Sequence, residues 1–212
     1  MFIPVLPNIW RWTTPDPEDD WVMVGHLLQQ DHQITLVDPP VVSGLLDALK
    51  ALGPVTAIVL TTHDHTRGAR YLHERLGCPV YVPEQANRDH IRHAGLREVT
   101  WYSEDSPLPG NLKAHRCRVT LPMWQDPELP YLDEMMLVTQ QHAVITGDIV
   151  MGNPGGGIYG CPEGFNDPAD PAKVTAALKT FRAVLPIHSN TLLAGHGQDL
   201  VGNLRQSLSL RD

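Results

Sequence analysis

The amino-acid sequence predicts a mixed α/β fold whose central strands are parallel. Residues 57–60 and 80–82 are short apolar runs typical of buried strands, and residues 66–76 between them have a helical pattern. A strand, a helix and a strand within so short a span form a βαβ unit, which makes the two strands parallel. The length of 212 residues fits one domain over residues 1–212.

Composition and charge narrow the classes of partner. The hydrophobic fraction of 42% and the charged fraction of 19% are those of an ordinary globular protein. The net charge of −8 argues against a nucleic-acid partner, because such proteins need a basic face that releases counterions from the phosphates. The sequence also lacks the run of about 20 apolar residues that a membrane span requires. We therefore expect a small-molecule substrate, with no nucleic-acid or membrane partner.

The cysteines and the N-terminal residues favour a cytoplasmic location. Cys78, Cys117 and Cys161 are odd in number and far apart, unlike the paired cysteines of a disulfide-stabilised secreted domain. Residues 1–10 lack the basic start and the small-residue cleavage site of a signal peptide. Their apolar, proline-containing pattern indicates an edge strand or an arm.

The other elements follow from local patterns. Residues 10–20 have a loop composition, residues 21–28 and 34–37 predict a hairpin, and residues 41–52 predict a helix. The remaining predicted elements are a helix over 83–94, strands over 99–102 and 113–121, a hairpin of 135–138 and 143–146, a helix over 171–185 capped by Asp170, a strand at 192–193 and a helix over 200–210.

Three metal-capable side chains follow the strand at residues 57–60. His63, Asp64 and His65 come directly after it, at the carboxyl end where ligands bind in open α/β sheets. Imidazole and carboxylate groups are zinc ligands. The alternative is a solvated loop that contains two histidines by chance.

Two later strands end in the same way, which favours a shared site. Asp148 follows Gly147 after one strand, and His196 lies between Gly195 and Gly197 after another. Glycines allow the backbone to turn tightly and so bring such side chains together. An earlier strand ends in Asp38, which we interpret as a structural organiser that accepts hydrogen bonds from nearby backbone N–H groups, with a direct ligand as the alternative.

Two irregular segments are candidates for the substrate pocket. Residues 122–132 carry Trp124, Glu128 and Tyr131, which either line a pocket or pack in the ordinary way. Residues 152–164 contain six glycines but lack the lysine of a nucleotide-binding loop, and we expect a mobile active-site loop there.

The order of these motifs resembles that of the metallo-β-lactamase superfamily of hydrolases. The resemblance covers most of the chain, from Trp21 to about Gly197, and implies an α/β fold of four layers, an αββα sandwich. The matching segments are Leu36-Val37-Asp38-Pro39, Thr61-Thr62-His63-Asp64-His65-Thr66, Ile145-Thr146-Gly147-Asp148 and Leu193-Ala194-Gly195-His196-Gly197.

The metal motif departs from the family pattern, His-x-His-x-Asp-His, because the segment is two residues short. If the helix start sets the alignment, Asp64 and His65 match the final Asp-His pair and Leu60 and Thr62 replace the first two histidines. We favour this alignment, because it keeps the small residues where the helix meets the sheet. If the strand end sets it, His63 and His65 are the first pair, and Arg67 and Gly68 replace the Asp-His pair.

The resemblance also implies a reduced, degenerate active site. The family has another histidine in the loop where this chain has Glu128-Leu129-Pro130. In the favoured alignment the first metal site is lost. The second keeps Asp64, His65 and His196, with Asp148 as the former bridging carboxylate. The implied cofactor is one ion, zinc or else manganese or iron, with no metal as the alternative.

Two functions remain open from the sequence. The first is a metal-dependent hydrolase of an ester, thioester or lactone-like bond, in which Asp64 or Asp148 orients the attacking water and His63 supplements the site or acts as an acid or base. The second is a non-catalytic member of the fold that uses the old cleft for binding or regulation. A redox member with a di-iron site is disfavoured because the ligand set is incomplete.

The sequence leaves the oligomeric state open. Trp10, Trp12 and Trp21 near the N-terminus are candidates for a homodimer interface, because large aromatic side chains are enriched in such surfaces.

Overall fold

The computed structural model describes residues 1–16, 21–165 and 170–211. These residues form two compact units, Met1–Lys113 and Ala114–Asp212, each with its own hydrophobic core. The assignment of residues 1–212 to one domain stays a prediction.

The first unit is built on a seven-stranded sheet in which the strands lie in sequence order. The first three pairs of neighbouring strands are antiparallel and the last three pairs are parallel, so the predicted βαβ arrangement is confirmed. The strands are β1 (Ile3–Leu6), β2 (Ile9–Pro15), β3 (Val22–Gln30), β4 (Gln33–Val37), β5 (Val55–Val59), β6 (Val80–Pro83) and β7 (Thr100–Tyr102).

Three helices follow these strands and cover the buried faces of the sheet with leucine and isoleucine side chains. The helices are α1 (Leu45–Leu52), α2 (Ala69–Leu76) and α3 (Arg88–His93), with short 3₁₀ turns at Asp64–Thr66 and Pro109–Asn111. As the sequence predicted, α2 ends at Gly77, whose φ of 67° is in the left-handed region.

The second unit contains a four-stranded sheet, a two-stranded sheet and two helices. In the four-stranded sheet β13 pairs parallel with β10, and β10 pairs antiparallel with β9. The elements are β8 (Lys113–Arg118), β9 (Asp133–Val138), β10 (Ala143–Thr146), β11 (Val150–Gly152), β12 (Ile158–Gly160), α4 (Pro171–Val184), β13 (Thr191–Ala194) and α5 (Leu204–Ser209). Asp170 caps α4 as predicted, because its carboxylate accepts from the N–H of Ala172 at 2.9 Å.

The loop prediction for residues 10–20 is wrong over residues 10–15, which belong to β2 (Ile9–Pro15); residues 17–20 lie outside the described part. The side chain of Trp12 is buried and its indole N–H donates to the carbonyl of Pro40 at 2.9 Å. The isoleucine, tryptophan and threonine residues of this segment also favour a strand, and the loop prediction gave too much weight to its prolines and acids. Trp12 therefore belongs to the core of the first unit, and its assignment to a homodimer interface is wrong.

Four predicted helices begin later than their patterns indicated, at Leu45, Ala69, Arg88 and Leu204, and for the first two a positive φ sets the start. The helix expected over residues 41–52 starts at Leu45, because Gly44 has a left-handed φ of 76°. The helix expected over residues 66–76 starts at Ala69, because Arg67 has a φ of 32° that no helix accommodates. In both cases a single backbone dihedral delays the helix.

The glycine-rich segment, residues 152–164, is not only a loop. Its first residue, Gly152, ends β11, and residues 158–160 form β12, which pairs antiparallel with β11. Gly152 is needed for a close backbone approach, because a Cβ there would lie 1.6 Å from the carbonyl oxygen of Gln198. The glycines therefore serve backbone packing in this region, and the prediction of an irregular loop is wrong for the two strands.

None of the helices in the described part of the chain is long and apolar enough to cross a membrane.

Replacement of Gly68 by alanine is expected to destabilise the chain by about 1–3 kcal/mol, the usual cost of overpacking. A Cβ at Gly68 would lie 2.4 Å from Cγ2 of Val41 and 2.7 Å from the carbonyl oxygen of Pro39. Urea unfolding measures the change. Gly155→Ala is the matched control, because the nearest atom to its Cβ is at 3.4 Å, and it should change stability by no more than about 0.5 kcal/mol. Equal stability of the two variants would contradict the packing argument.

Candidate functional site

The carboxylate of Asp38, directly after β4, is the centre of a buried hydrogen-bond network in the first unit. It accepts from the N–H of Thr61 at 2.8 Å and from the Thr61 hydroxyl at 2.6 Å. Its Oδ2 lies 2.8 Å from Nδ1 of His65. The prediction that Asp38 organises the backbone is confirmed by the bond from Thr61.

This network fixes which nitrogen of His65 carries the proton. An ionised carboxylate only accepts hydrogen bonds, so Nδ1 of His65 donates to Asp38. Nε2 is then the nitrogen with the lone pair. A ring held in this way presents one defined nitrogen to a ligand, which is how histidines are oriented in metal sites.

The pKa of Asp38 is held below its usual value despite its burial. Burial by itself raises the pKa of the carboxyl, because it disfavours the charged form. The electrostatic interaction and the hydrogen bond with His65, the charge of Arg67 and the hydrogen bond from Thr61 lower the pKa and outweigh the burial. Asp38 is therefore ionised at neutral pH.

Arg67 places a fixed cation beside His65. Its Nη1 donates to the carbonyl of Val24 at 2.7 Å and to that of Asp38 at 3.3 Å. Its Nη2 lies 3.1 Å from Nε2 of His65. Because a guanidinium only donates, Nε2 of His65 is the acceptor, in agreement with the proton at Nδ1.

The backbone at Arg67 is strained. Its φ of 32° and ψ of −113° lie outside the regions that residues other than glycine favour. Such conformations cost about 1–3 kcal/mol and persist only where the surrounding contacts hold them. The contacts of the guanidinium with Val24 and Asp38 are of that kind.

His63 and Asp64 lie beside this network. The Asp64 side chain is 44% exposed, whereas that of His65 is 3% exposed. The Asp64 carboxylate lies 3.7 Å from Nε2 of His63. The ring of His63, in turn, packs edge-on against that of His90 at a centroid distance of 5.3 Å. The first unit thus brings His65 to Asp38 and Arg67, and pairs Asp64 with His63.

In the second unit, Asp148 and His196 come from the ends of neighbouring parallel strands. Thr146 of β10 pairs with Ala194 of β13, and each site residue follows its strand partner by two positions. Equal offsets from a parallel pair place the two side chains together. Nε2 of His196 lies 3.3 Å from Oδ1 of Asp148, and both residues are buried.

The fully buried carboxylate of Glu134 holds the backbone of the turn that carries Asp148. It accepts from the N–H groups of Gly147 at 3.1 Å, Asp148 at 2.6 Å and Ile149 at 3.2 Å. Three converging donors favour the ionised carboxylate. Glu134 therefore positions the turn through the backbone.

The backbone beside His196 is equally constrained. The N–H of Gly152 donates to the carbonyl of His196 at 3.1 Å. A Cβ at Gly197 would lie 1.9 Å from the carbonyl oxygen of Gly152, so only glycine fits there, with a φ of 77°. The glycines noted in the sequence around His196 serve this close approach.

One of the three residues predicted for the substrate pocket is linked to His196 by aromatic contacts. The ring of Trp124 packs edge-on against Phe165 at 5.4 Å, and Phe165 lies 6.3 Å from the ring of His196. Glu128 and Tyr131 are exposed on the same segment. The assignment of Trp124, Glu128 and Tyr131 to a pocket stays a prediction.

Two residues that support the candidate side chains, one in each unit, are not predicted from the sequence. Glu134 lies within β9, far along the chain from Asp148, and no local pattern links the two. Arg67 was considered only as the residue that replaces an aspartate in the strand-end alignment. A signal for its role exists in retrospect, since a guanidinium two residues after a histidine can fold back on the ring.

Comparison with known proteins places these observations in a family context. No protein-family model matches the chain. A hydroxyacylglutathione hydrolase from Thiobacillus denitrificans is 33% identical over 82 residues. That match covers 37% of this chain and 31% of the relative, so the chain aligns with about a third of that protein.

Solved structures match over the whole chain at low identity. TMB-1 matches with a TM-score of 0.71 and 11% identity, covering 100% of this chain and 96% of the other. The metallo-β-lactamase DIM-1 matches with a TM-score of 0.71 and 14% identity, covering 100% and 95%. The metallo-β-lactamase FIM-1 from Pseudomonas aeruginosa, in its mono-zinc form, matches with a TM-score of 0.68 and 15% identity, covering 100% and 92%. At these identities the likeness shows the fold alone, and the fold predicted from the motifs is confirmed.

Replacement of Asp38 by asparagine is expected to lower the free energy of unfolding at neutral pH by about 1–3 kcal/mol, because an amide N–H₂ cannot accept from Thr61 or His65. The folded-state pKa of Asp38 is lowered, so its contribution is fully present above the unfolded pKa of about 3.9. It is lost as the pH falls through the lower folded pKa. Unfolding measured between neutral pH and about pH 2 should therefore show the gap between wild type and variant closing below about pH 4.

The control for the Asp38 variant is Asp89→Asn. Asp89 also has a lowered pKa, caused by its pairing with Arg92, but its side chain is exposed. Solvent screens such pairs, and the stability of this variant should follow that of wild type at every pH. A gap for Asp38→Asn that does not change with pH would contradict the assignment of an ionised carboxylate.

Replacement of Glu134 by glutamine is expected to destabilise the chain by about 1–3 kcal/mol, because the amide N–H₂ would face backbone N–H donors. Chemical denaturation measures the change, and an amide NMR spectrum should show its largest shifts at Gly147, Asp148 and Ile149. Glu98→Gln, at an exposed position, is the matched control. Shifts spread evenly over the chain would argue against a local role for Glu134.

Proposed function

We propose that this chain, which has the metallo-β-lactamase fold, is a metal-dependent hydrolase with a reduced site for one metal ion. The observation that carries the proposal is the buried His65, whose Nδ1 proton is committed to Asp38. Histidines that bind metals in proteins are oriented by a carboxylate in the same way. The nitrogen left for a metal is Nε2.

The proposed ligands are His65, Asp148 and His196, three buried side chains of the kinds that bind zinc. The donors fit zinc in their chemistry: two imidazoles, one of them in a defined neutral tautomer, and a carboxylate. Manganese or iron are alternatives, because imidazole and carboxylate also suit these ions. When bound, a zinc ion polarises a carbonyl group and lowers the pKa of a bound water to about 7.

The residues around the ligands supply orientation and proton transfer. Asp38 keeps the His65 ring in place, and Glu134 fixes the turn of Asp148. We propose that Asp148 orients the attacking water. Asp64 and His63 stay in the proposal because of the sequence motif, Asp64 as a further ligand or orienting group and His63 as an acid or base.

The proposed substrate is a small molecule with an ester, thioester or lactone-like bond. Support for a thioester comes from the hydroxyacylglutathione hydrolase, because the compound in that name is an acylated thiol. Trp124 and Phe165 form an aromatic pair next to His196, which suits the acyl part of such a molecule. Glu128 and Tyr131 complete the proposed pocket.

The second candidate function is that of a non-catalytic binding or regulatory protein without metal. The observation that favours it is the guanidinium of Arg67 at 3.1 Å from Nε2 of His65. A cation in that position takes the lone pair that a metal would use. Metal content separates the two candidates.

Protein purified without chelator is expected to contain about one equivalent of zinc, manganese or iron per chain, measured by elemental analysis. His65→Ala and His196→Ala should each lose it, because each removes a proposed ligand. His93→Ala, at an exposed position of α3, is the matched control and should keep the metal. Wild-type protein without metal under these conditions would favour the non-catalytic candidate.

The same measurement on Asp64→Ala tests the sequence-based assignment of Asp64. Its exposed carboxylate is the least constrained of the proposed ligands. Loss of the metal would place Asp64 among the ligands, and retention would restrict the set to His65, Asp148 and His196.

A further inference from the structure

The guanidinium of Arg67 stands where a metal would bind to His65. Nε2 of an imidazole has a single lone pair in the plane of the ring, and that lone pair serves either a hydrogen bond or a metal ion. With Nδ1 committed to Asp38, Nε2 is the nitrogen available for both purposes. The 3.1 Å contact with Nη2 of Arg67 uses it for a hydrogen bond.

We propose that Arg67 competes with the metal ion for Nε2 of His65 and so controls the metal affinity of the site. This inference rests on the proposed metal-dependent function. Binding of a metal at His65 requires the Nη2 hydrogen bond to break, and the positive charge of the guanidinium opposes the approach of a second cation.

Three observations indicate that Arg67 is built into this position. Its Nη1 is anchored on two backbone carbonyls, those of Val24 and Asp38, so the guanidinium does not depend on His65 alone. Its backbone adopts a φ of 32°, a conformation that an ordinary turn residue avoids. Its charge also helps to keep Asp38 ionised, which maintains the tautomer of His65. Arg67 therefore helps to keep the lone pair on Nε2 of His65, and its own hydrogen bond uses that lone pair.

Competition gives the site two states that differ in one hydrogen bond. In the metal-free state Nη2 of Arg67 donates to Nε2 of His65, and this hydrogen bond stabilises the neutral ring of His65. In the metal-bound state the guanidinium keeps its anchors on Val24 and Asp38 and gives up Nε2. Metal binding is then weaker than the ligand set alone would give.

The test is zinc binding to chelator-stripped protein, measured by competition with a chromophoric chelator. The key variant is Arg67→Met, which keeps most of the side-chain volume and removes the charge and the donors. We expect its zinc affinity to exceed that of wild type by roughly tenfold or more, because a charge-assisted hydrogen bond no longer competes. His65→Ala in the same background should abolish the gain.

Arg70→Met is the matched control. Arg70 lies three positions further along the chain, is exposed and pairs with Glu74 at 2.9 Å. Its replacement removes the same charge from the chain without touching His65, so zinc affinity should match that of wild type. A gain for Arg70→Met equal to that for Arg67→Met would overturn the proposal, because it would reflect net charge alone.

A second readout needs no metal. In the zinc-free wild type, the imidazole ¹⁵N resonance of Nε2 of His65 should show a nitrogen that accepts a hydrogen bond, and in Arg67→Met it should move downfield. If Arg67→Met does not fold, Arg67→Lys serves instead, because an ammonium reaches fewer partners at once than a guanidinium. It should bind zinc more tightly than wild type by a smaller factor.

The outcomes separate this inference from the proposed function. Zinc binding by wild type that His196→Ala abolishes, together with equal or weaker binding by Arg67→Met, would overturn the competition and leave the metal site intact. Absence of zinc binding in both wild type and Arg67→Met would overturn the metal-dependent function and the competition with it. Binding by Arg67→Met alone, lost in the His65→Ala background, would support the competition in its strongest form.

Discussion

The buried carboxylate of Asp38 ties together the ends of three neighbouring strands of the first unit. It follows β4, accepts from Thr61 and His65 after β5, and its own carbonyl accepts from Arg67, which also reaches Val24 of β3. A buried charge is tolerated only when it is hydrogen-bonded and neutralised. Here Thr61 and His65 supply the hydrogen bonds, and the nearby guanidinium of Arg67 supplies the positive charge. That carboxylate therefore orients Thr61 and His65.

In the second unit, the buried carboxylate of Glu134 has the corresponding structural role. Glu134 accepts from three successive backbone N–H groups and so fixes the turn that presents Asp148. Turns at the ends of strands have no helical or sheet hydrogen bonds of their own, and such segments are mobile unless side chains satisfy them. Buried acids thus give both units rigid supports for histidines and carboxylates at strand ends.

Arg67 sets the character of the candidate site. A metal ion and a guanidinium are both cations, and both use the lone pair of Nε2 of His65. A site that holds Arg67 as firmly as this one needs no metal to stabilise its histidine. Under the proposed competition, the two candidate functions differ in which cation uses Nε2 of His65.

The sequence by itself determined the fold and the strand ends that carry the chemistry. Short apolar runs, helical patterns and glycine-flanked acids and histidines are local signals, and they sufficed for the parallel strands, for α4 and its cap, and for the positions of His65, Asp148 and His196. Tertiary structure decided which of these side chains are buried, how they are oriented and what accompanies them. It placed Trp12 in the core, turned glycines 152 and 197 into a backbone contact, exposed Asp64 and set Arg67 against His65. These outcomes depend on contacts between residues far apart in the chain and on single backbone dihedrals. The local pattern of residues predicts neither of these.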